Sequence, residues 1–338
     1  MNTLRSRLSE KQQEEIDKKV DSLLEGCGGF GRFQWFITIS YLLANMSVML
    51  IMMAMSFLTK VPEEYFCEYA GSSGSPQACQ PKDFCEDPNV VSFQPNMELE
   101  TSYYNWVLQY DLHCASGPKI GLISSAVFIG WVITSTFVPR LSDGYFGRVF
   151  LIKLGFLISF ASYTVLVLSR SYVVLVLCMF TNGMMATIRV QVCIAYLYET
   201  LSRDQYVAAY TFLAVFDGFS GVLASLFFMF VSKDATGLIL TAYVCLGLAA
   251  IAAFFYPESP RYLVKSDQIG QAQQVFEYIA NYNGVDSQHV SEDRVEKLFA
   301  LEEAPEEKPK LEVITENEEE EEEDSARLLP TQPKQYHP

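Results

Sequence analysis

Long runs of apolar residues separated by short polar segments dominate the first 256 positions of the chain. Each run holds about 20 residues, the length that a helix needs to cross roughly 30 Å of hydrocarbon. Because only helices satisfy every backbone polar group internally in lipid, we expect an all-α membrane protein despite the many β-branched and aromatic side chains. Six transmembrane helices are predicted, at Phe33–Leu58, Ile120–Phe137, Phe150–Leu168, Tyr172–Tyr198, Tyr206–Val231 and Leu238–Tyr256.

The polar segments divide the rest of the chain into domains. Residues 1–32 are charged and amphipathic, and no cleavable signal precedes the first apolar run, which is expected to act as an uncleaved anchor. Residues 33–256 form the predicted six-helix transmembrane domain. It includes one long extracytosolic loop, at residues 59–117.

Two further segments follow the last span. In residues 257–285, apolar side chains recur at helical spacing from Ile269 to Ile279, which predicts a short amphipathic helix along the membrane surface. Residues 286–338 contain 17 acidic and 6 basic side chains and lose all periodicity, so they are predicted to be a disordered tail.

Charge placement predicts the orientation. The formal net charge is −16, and most of it lies in the tail, which argues against nucleic acid as a partner. Basic residues are concentrated on the side of the N-terminal segment, so the positive-inside rule places both termini in the cytosol. The residues expected on that side include Arg5, Arg7, Lys11, Lys18, Lys19, Arg32, Arg140, Arg148, Arg203, Arg261 and Lys265.

The long loop contains an even set of cysteines on the non-cytosolic side: Cys67, Cys79, Cys85 and Cys114. Four cysteines allow three pairings, and an oxidising compartment favours two disulfides. Zinc is the alternative ligand for these thiols. The spacings do not fit a zinc knuckle, however, and only His113 lies nearby, so we expect no metal site.

Two charges lie deep in the predicted helices. Arg189 in helix four and Asp217 in helix five sit at depths that agree within about 3 Å, counted at 1.5 Å per residue. An isolated charge there costs at least roughly 2.5 kcal/mol, so we expect direct or water-bridged contact between the two. They form either a substrate or coupling pair, or a structural ion pair. Weaker candidates for the same cavity are Asn182, Gln191, Asn45, Trp131 and Tyr196.

A polar hairpin between helices two and three is predicted to carry a second constellation. Asp143 and Arg148 flank a tight turn at adjacent helix ends, where helix dipoles and neighbouring termini can hold them. Glu199 and Arg261 are expected at the same cytosolic level. We therefore predict a charge cluster of these four residues that latches one conformation, although the hairpin alone is equally compatible with a merely hydrophilic loop.

Enzymatic signatures are absent from the sequence. The glycine-rich stretch Gly26–Gly29 precedes a membrane helix and does not follow a strand, so a phosphate-binding loop is excluded by context. No nucleophile or metal arrangement is found. We predict that the protein is not an enzyme and uses no cofactor.

Several motifs, in order, resemble those of one family. The stretches Asp21–Glu25 and Gly29–Gln34, the approach from Trp106 to Cys114, and Pro257–Leu263 ("PESPRYL") are similar to the organic ion transporters of the major facilitator superfamily, which carry organic cations, carnitine and organic anions. The Asp143–Arg148 hairpin resembles the helix 2–3 motif of that superfamily. Together these motifs cover about residues 21–285.

The resemblance implies half of a major facilitator fold. In that fold the solute lies near the midplane between two six-helix halves, and rocking of one half on the other gives alternating access. We therefore expect a half-sized transporter of a small organic ion that pairs with a second six-helix half. Pro139, Met179, Ser202 and Tyr206 depart from the family motifs, and these departures favour the alternative, a degenerate transporter-like accessory subunit of a larger membrane assembly.

The tail contains a candidate sorting signal. Asp324, Leu328 and Leu329 fit an acidic dileucine pattern, in which two leucines enter an apolar groove of a sorting adaptor while the acid meets a basic rim. So short a pattern also arises by chance in acidic tails. The predicted location is the plasma membrane or a membrane of endosomal or lysosomal type.

Overall fold

Helices dominate the computed structural model, which describes residues 10–70, 76–142 and 147–286. Within these ranges six helices are long and apolar enough to cross a membrane, so the predicted fold class is confirmed. We call them spans 1 to 6: Arg32–Met53, Gly117–Ser135, Arg148–Leu168, Tyr172–Thr200, Arg203–Val231 and Ala235–Ala253.

The elements follow one another in the order α1 (Glu10–Gly26), α2 (Arg32–Met53), α3 (Met55–Leu58), β1 (Tyr65–Tyr69), β2 (Gln77–Cys79), α4 (Pro81–Glu86), β3 (Val90–Pro95), α5 (Trp106–Gln109), α6 (Gly117–Ser135), α7 (Val138–Leu141), α8 (Arg148–Leu168), α9 (Tyr172–Thr187), α10 (Cys193–Thr200), α11 (Arg203–Leu226), α12 (Ala235–Ala253), α13 (Pro260–Lys265) and α14 (Ile269–Asn283). Spans 4 and 5 each contain a π-helical turn, at Ile188–Val192 and Phe227–Val231. Such turns are uncommon and often mark functional positions in a helix.

Small residues set the distance between spans 2 and 4. A Cβ atom on Gly183 would overlap the carbonyl oxygen of Val127, and one on Gly130 would overlap that of Phe180. The two backbones can therefore approach closely, as membrane helices do where glycines face each other. Span 1 packs against spans 4, 5 and 6 and so occupies the interior of the bundle.

The loop after span 1 folds into a small disulfide-bonded sheet at one end of the bundle, which we call the disulfide end. Its strand order is β2-β1-β3, with antiparallel pairing throughout. Disulfides join Cys67 to Cys79 and Cys85 to Cys114, so the prediction of two disulfides is confirmed and its open pairing is resolved. Burial raises the pKa of Tyr65 to about 12, and its hydroxyl lies 2.9 Å from Nδ1 of His113.

Helices α1, α13 and α14 cover the opposite end, which we call the helical end. The apolar face of α14 is buried against protein, with Phe276 and Ile279 both 0% exposed. The sequence predicted that this helix lies along the membrane surface. Side chains of α1, including Val20 and Leu24, supply the apolar partner that lipid was expected to provide, and the position of α14 relative to a membrane stays a prediction.

Asn283 ties the end of α14 to the beginning of span 1. Its side-chain oxygen accepts a hydrogen bond from the backbone N–H of Phe33 at 2.9 Å, and its amide donates to the carbonyl of Cys27 at 2.9 Å and to Oε1 of Gln34 at 3.0 Å. A Cβ atom on Gly31 would overlap the Asn283 side chain. The first turn of span 1 is thus capped by a residue 250 positions further along the chain.

Candidate functional site

An ion pair between spans 3 and 4 lies at the helical end. Nε of Arg148 donates to both carboxylate oxygens of Glu199, at 3.1 and 2.8 Å, and Nη2 donates to Oε1 at 2.6 Å. The two side chains are only 9% and 13% exposed. Arg148 also donates to the carbonyl of Ser142 at 2.9 Å and lies 4.7 Å above the ring of Tyr262. Planar, two-pronged contact of this kind fixes the relative rotation of the two helices.

Glu258 caps span 3 beside that ion pair. Its carboxylate accepts hydrogen bonds from the backbone N–H groups of Arg148 at 3.1 Å, Val149 at 3.3 Å and Ser259 at 3.0 Å. A carboxylate in this position satisfies donors that a helix N-terminus leaves unpaired. Burial nevertheless raises the pKa of Glu258, against the opposing effect of these hydrogen bonds. A side chain on Gly147, whose φ is +76°, would collide with the same carboxylate.

Glu258 also borders a recess at the helical end. This recess holds about 350 Å³ between the segment after span 6 and the helix α14. Its lining consists of Pro257, Glu258, Leu263, Gln271, Gln274, Val275 and Tyr278. The buried carboxyl group therefore has a route to solvent at the helical end.

Arg261 belongs to a different cluster. It forms ion pairs with Asp17, at 3.5 Å, and Asp21, and donates to the carbonyl of Leu201 at 3.1 Å. Lys265 joins Asp17 at 3.0 Å. The Arg148–Glu199 part of the predicted four-residue cluster is therefore present, whereas Arg261 pairs with acids of α1. Asp143 lies outside the described residues.

Arg189 occupies the π-helical turn of span 4 and is 1% exposed. Nη1 donates to Oγ of Ser47 at 3.0 Å and Nη2 to the carbonyl of Asn182 at 3.2 Å. Its guanidinium lies 5.8 Å from the ring centre of Tyr163. All of these partners are neutral, and a recess of about 20 Å³ adjoins them.

Asp217 is half-buried on span 5, where its carboxylate accepts a hydrogen bond from the side-chain amide of Asn45. Arg189 and Asp217 thus bind different positions of span 1, Ser47 and Asn45. No ion pair joins the two among the described residues, so of the predicted direct or water-bridged contact the direct form is not present. Positions 45 and 47 are about 200° apart around a helix, which places the two contacts on nearly opposite sides of span 1.

The weaker candidates separate in the same way. Asn182 lies beside Arg189 and its amide donates to Oγ of Ser162 at 2.9 Å. Tyr196 does not share that cavity, since its hydroxyl donates to the carbonyl of Pro257 at 3.0 Å, beyond the end of span 6. Trp131 and Gln191 are half-buried, and neither side chain is seen to contact Arg189.

Several polar residues at these sites were not predicted from the sequence. Ser47 and Tyr163 hold Arg189, and Asp17 and Asp21 hold Arg261. Serine and tyrosine in an apolar run carry no signal of their own, whereas the two aspartates stand one helical turn apart on α1 and could have been found by that spacing. The predicted sorting residues Asp324, Leu328 and Leu329 lie outside the described residues.

One comparison with known proteins adds to this geometry. Residues 37–301 match the family described as Major Facilitator Superfamily. The match begins in the second turn of span 1 and covers the rest of that span, spans 2 to 6, α13 and α14. Proteins of this family are transporters of solutes across membranes and are not enzymes. The chain, with its six spans, belongs to the Major Facilitator Superfamily.

Proposed function

We propose that the chain transports a small organic cation by alternating access, with spans 1 to 6 forming one wall of the solute path and a second six-helix half forming the other. Family membership supports transport in general. The choice of an organic ion rests on the motifs that resemble organic ion transporters, and the choice of a cation rests on Asp217.

Asp217 is the observation that carries the proposal. Its carboxylate is half-buried and has the Asn45 amide as a neutral partner. It lies on span 5, which is the least buried of spans 1 to 6, since only 17% of its most apolar stretch is buried. An acidic side chain facing lipid at this depth is costly. The exposed side of span 5 near Asp217 is therefore better suited to a water-filled path or to a facing protein than to hydrocarbon.

Aromatic residues continue the same side of span 5. Tyr210 and Tyr206 precede Asp217 by 7 and 11 positions, which puts them within about 20° of it around the helix. Their rings stack with centres 5.8 Å apart, and Tyr210 is 50% exposed. A carboxylate with tyrosine rings on one stripe is suited to an organic cation, which benefits from both charge and ring faces.

We further infer that the helical end faces the cytosol. Arg140, Arg148, Arg203 and Arg261 lie at that end, and the two disulfides lie at the other. Basic residues remain on the cytosolic side of membrane proteins, and disulfides form in oxidising compartments. Protease protection of a tag placed after residue 338 in sealed right-side-out vesicles tests this orientation, and cleavage of the tag would contradict it.

Uptake of tetraethylammonium, a permanent organic cation, tests the transport proposal. Cells that express the full chain should accumulate it above background, and Asp217→Asn should lose at least tenfold of that uptake while Asp217→Glu retains part of it. Asp111→Asn is the matched control, because its side chain is 89% exposed at the disulfide end. Equal uptake by Asp217→Asn and the wild type would refute the role of Asp217.

The second half is tested separately. Crosslinking in the membrane should join the exposed side of span 5 to another six-helix unit, whether this comes from the same polypeptide, a second copy or another chain. Absence of uptake, together with a crosslinked partner whose own transport changes when this chain is removed, would instead support the accessory-subunit function.

A further inference from the structure

The guanidinium of Arg189 is a buried positive charge with no counter-ion in the part of the chain that the structure describes. Among the described residues, it donates to Ser47 Oγ and to the carbonyl of Asn182, and it lies beside the ring of Tyr163. Its Nε is buried and has no partner among the described residues. Since a guanidinium carries five N–H donors, this unpartnered Nε leaves part of its capacity to bind an acceptor unused.

The neighbours of Arg189 cannot neutralise its charge. Ser47 is a hydroxyl that itself donates to the carbonyl of Ala44 at 2.6 Å, and Tyr163 donates its hydroxyl to the carbonyl of Ser47 at 2.9 Å. Asp217, the acid expected to pair with Arg189, is hydrogen-bonded to Asn45 on another side of span 1. A buried charge is strongly favoured to acquire a partner of opposite sign.

Space for such a partner adjoins the guanidinium. The recess of about 20 Å³ exceeds the volume that one water-sized group requires. Its polar wall is formed by Arg189, Asn182 and Tyr163, and its apolar wall by Val48, Ile51, Met52, Val127 and Met179. A larger ionised group would have to displace these packed side chains.

We propose that this recess binds one small monovalent anion, either a free halide such as chloride or a single carboxylate group. The site goes beyond the proposed function, because it would bind its anion whether or not the chain moves an organic cation. Bound there, the anion neutralises Arg189 and joins spans 1, 2, 3 and 4, all of which contribute to the walls.

Thermal unfolding of the full chain purified in detergent tests the site. The unfolding midpoint is measured at a constant ionic strength of about 0.15 M while gluconate, which is too large for the recess, is replaced by chloride, bromide or formate. A saturable rise of roughly 2–5 °C is expected with at least one small anion. Stabilisation by chloride and bromide identifies a free halide, whereas stabilisation by formate alone identifies a carboxylate group.

Two variants assign the effect to the recess. Arg189→Met should abolish the response, while Arg170→Met, at an exposed loop position, should preserve it. Val48→Ile keeps every charge but extends the wall of the recess, so it should raise the half-saturating anion concentration at least tenfold; Val165→Ile, which is 48% exposed, is its control.

Equal midpoints in all four anions would overturn the proposal. An anion response of the unfolding midpoint in Val48→Ile equal to that of the wild type would also overturn it. This outcome is decisive even if Arg189→Met does not fold. Because uptake of tetraethylammonium plays no part in this measurement, failure of the anion site and failure of the transport proposal are distinguished.

Discussion

Replacing Arg148 with methionine should destabilise the protein far more than removal of an exposed charge at the helical end. The change leaves the Glu199 carboxylate, 13% exposed, without its three contacts to the guanidinium. Breaking a buried ion pair by removing one partner costs about 3–5 kcal/mol. Arg148 also holds the Ser142 carbonyl and the Tyr262 ring, which places the expected loss in the upper part of that range.

Thermal unfolding in detergent gives the readout. At roughly 2–4 °C per kcal/mol for domains of 150–250 residues, the midpoint of Arg148→Met should fall by about 8–20 °C. Arg203→Met removes the same charge from an exposed position at the start of span 5 and should shift the midpoint by less than about 2 °C.

A double-mutant cycle separates the pair from the individual side chains. Arg148→Met combined with Glu199→Leu removes both charges, so the double variant should be more stable than the sum of the single losses by at least about 1 kcal/mol. Additive losses, or equal midpoints for Arg148→Met and Arg203→Met, would refute the reasoning that burial of this pair determines its importance.

Three further predictions concern other parts of the chain. Removal of the Cys85–Cys114 disulfide, which closes 29 residues, should cost about 0.8 kcal/mol more than removal of Cys67–Cys79, which closes 12, and the two double-alanine variants can be ranked by unfolding midpoint. Burial raises the pKa of Glu258 above its usual 4.5, so ionisation of this group opposes folding. The stability of the wild type relative to Glu258→Gln should therefore fall as the pH rises from 4.5. A wild type that gains stability over Glu258→Gln with rising pH would contradict this. Replacing Leu328 and Leu329 with alanine should move the protein from endosomal or lysosomal-type membranes to the cell surface, and an unchanged location by microscopy would remove the sorting hypothesis.

The spans and the disulfides were predictable because each depends on a strong local signal. Twenty apolar residues demand a helix in lipid wherever they occur, and an even number of cysteines in one loop favours disulfides. Helix bounds differ by a few residues at several ends, and span 3, for example, begins at Arg148, two residues before the predicted Phe150. The shift follows from Glu258, which caps that end from a distant part of the chain.

Partners in the bundle were less predictable, since depth can be counted along a helix but rotation cannot. Arg189 and Asp217 were expected to meet because their depths agree, yet span 1 lies between them and offers a separate partner to each. The π-helical turn at Ile188–Val192 adds a residue to the local winding, which changes the direction of Arg189 relative to an α-helix. Nothing in the sequence announces that turn.

The hydrogen bonds of Asn283 impose an order on biosynthesis. The first turn of span 1 is made early, but its cap is provided by a residue that leaves the ribosome only after all six spans have been synthesised. Until then the N–H of Phe33 and the carbonyl of Cys27 lack this partner. The helical end is therefore completed late in biosynthesis. A chain whose synthesis stops before position 283 lacks the hydrogen bonds that cap the first turn of span 1.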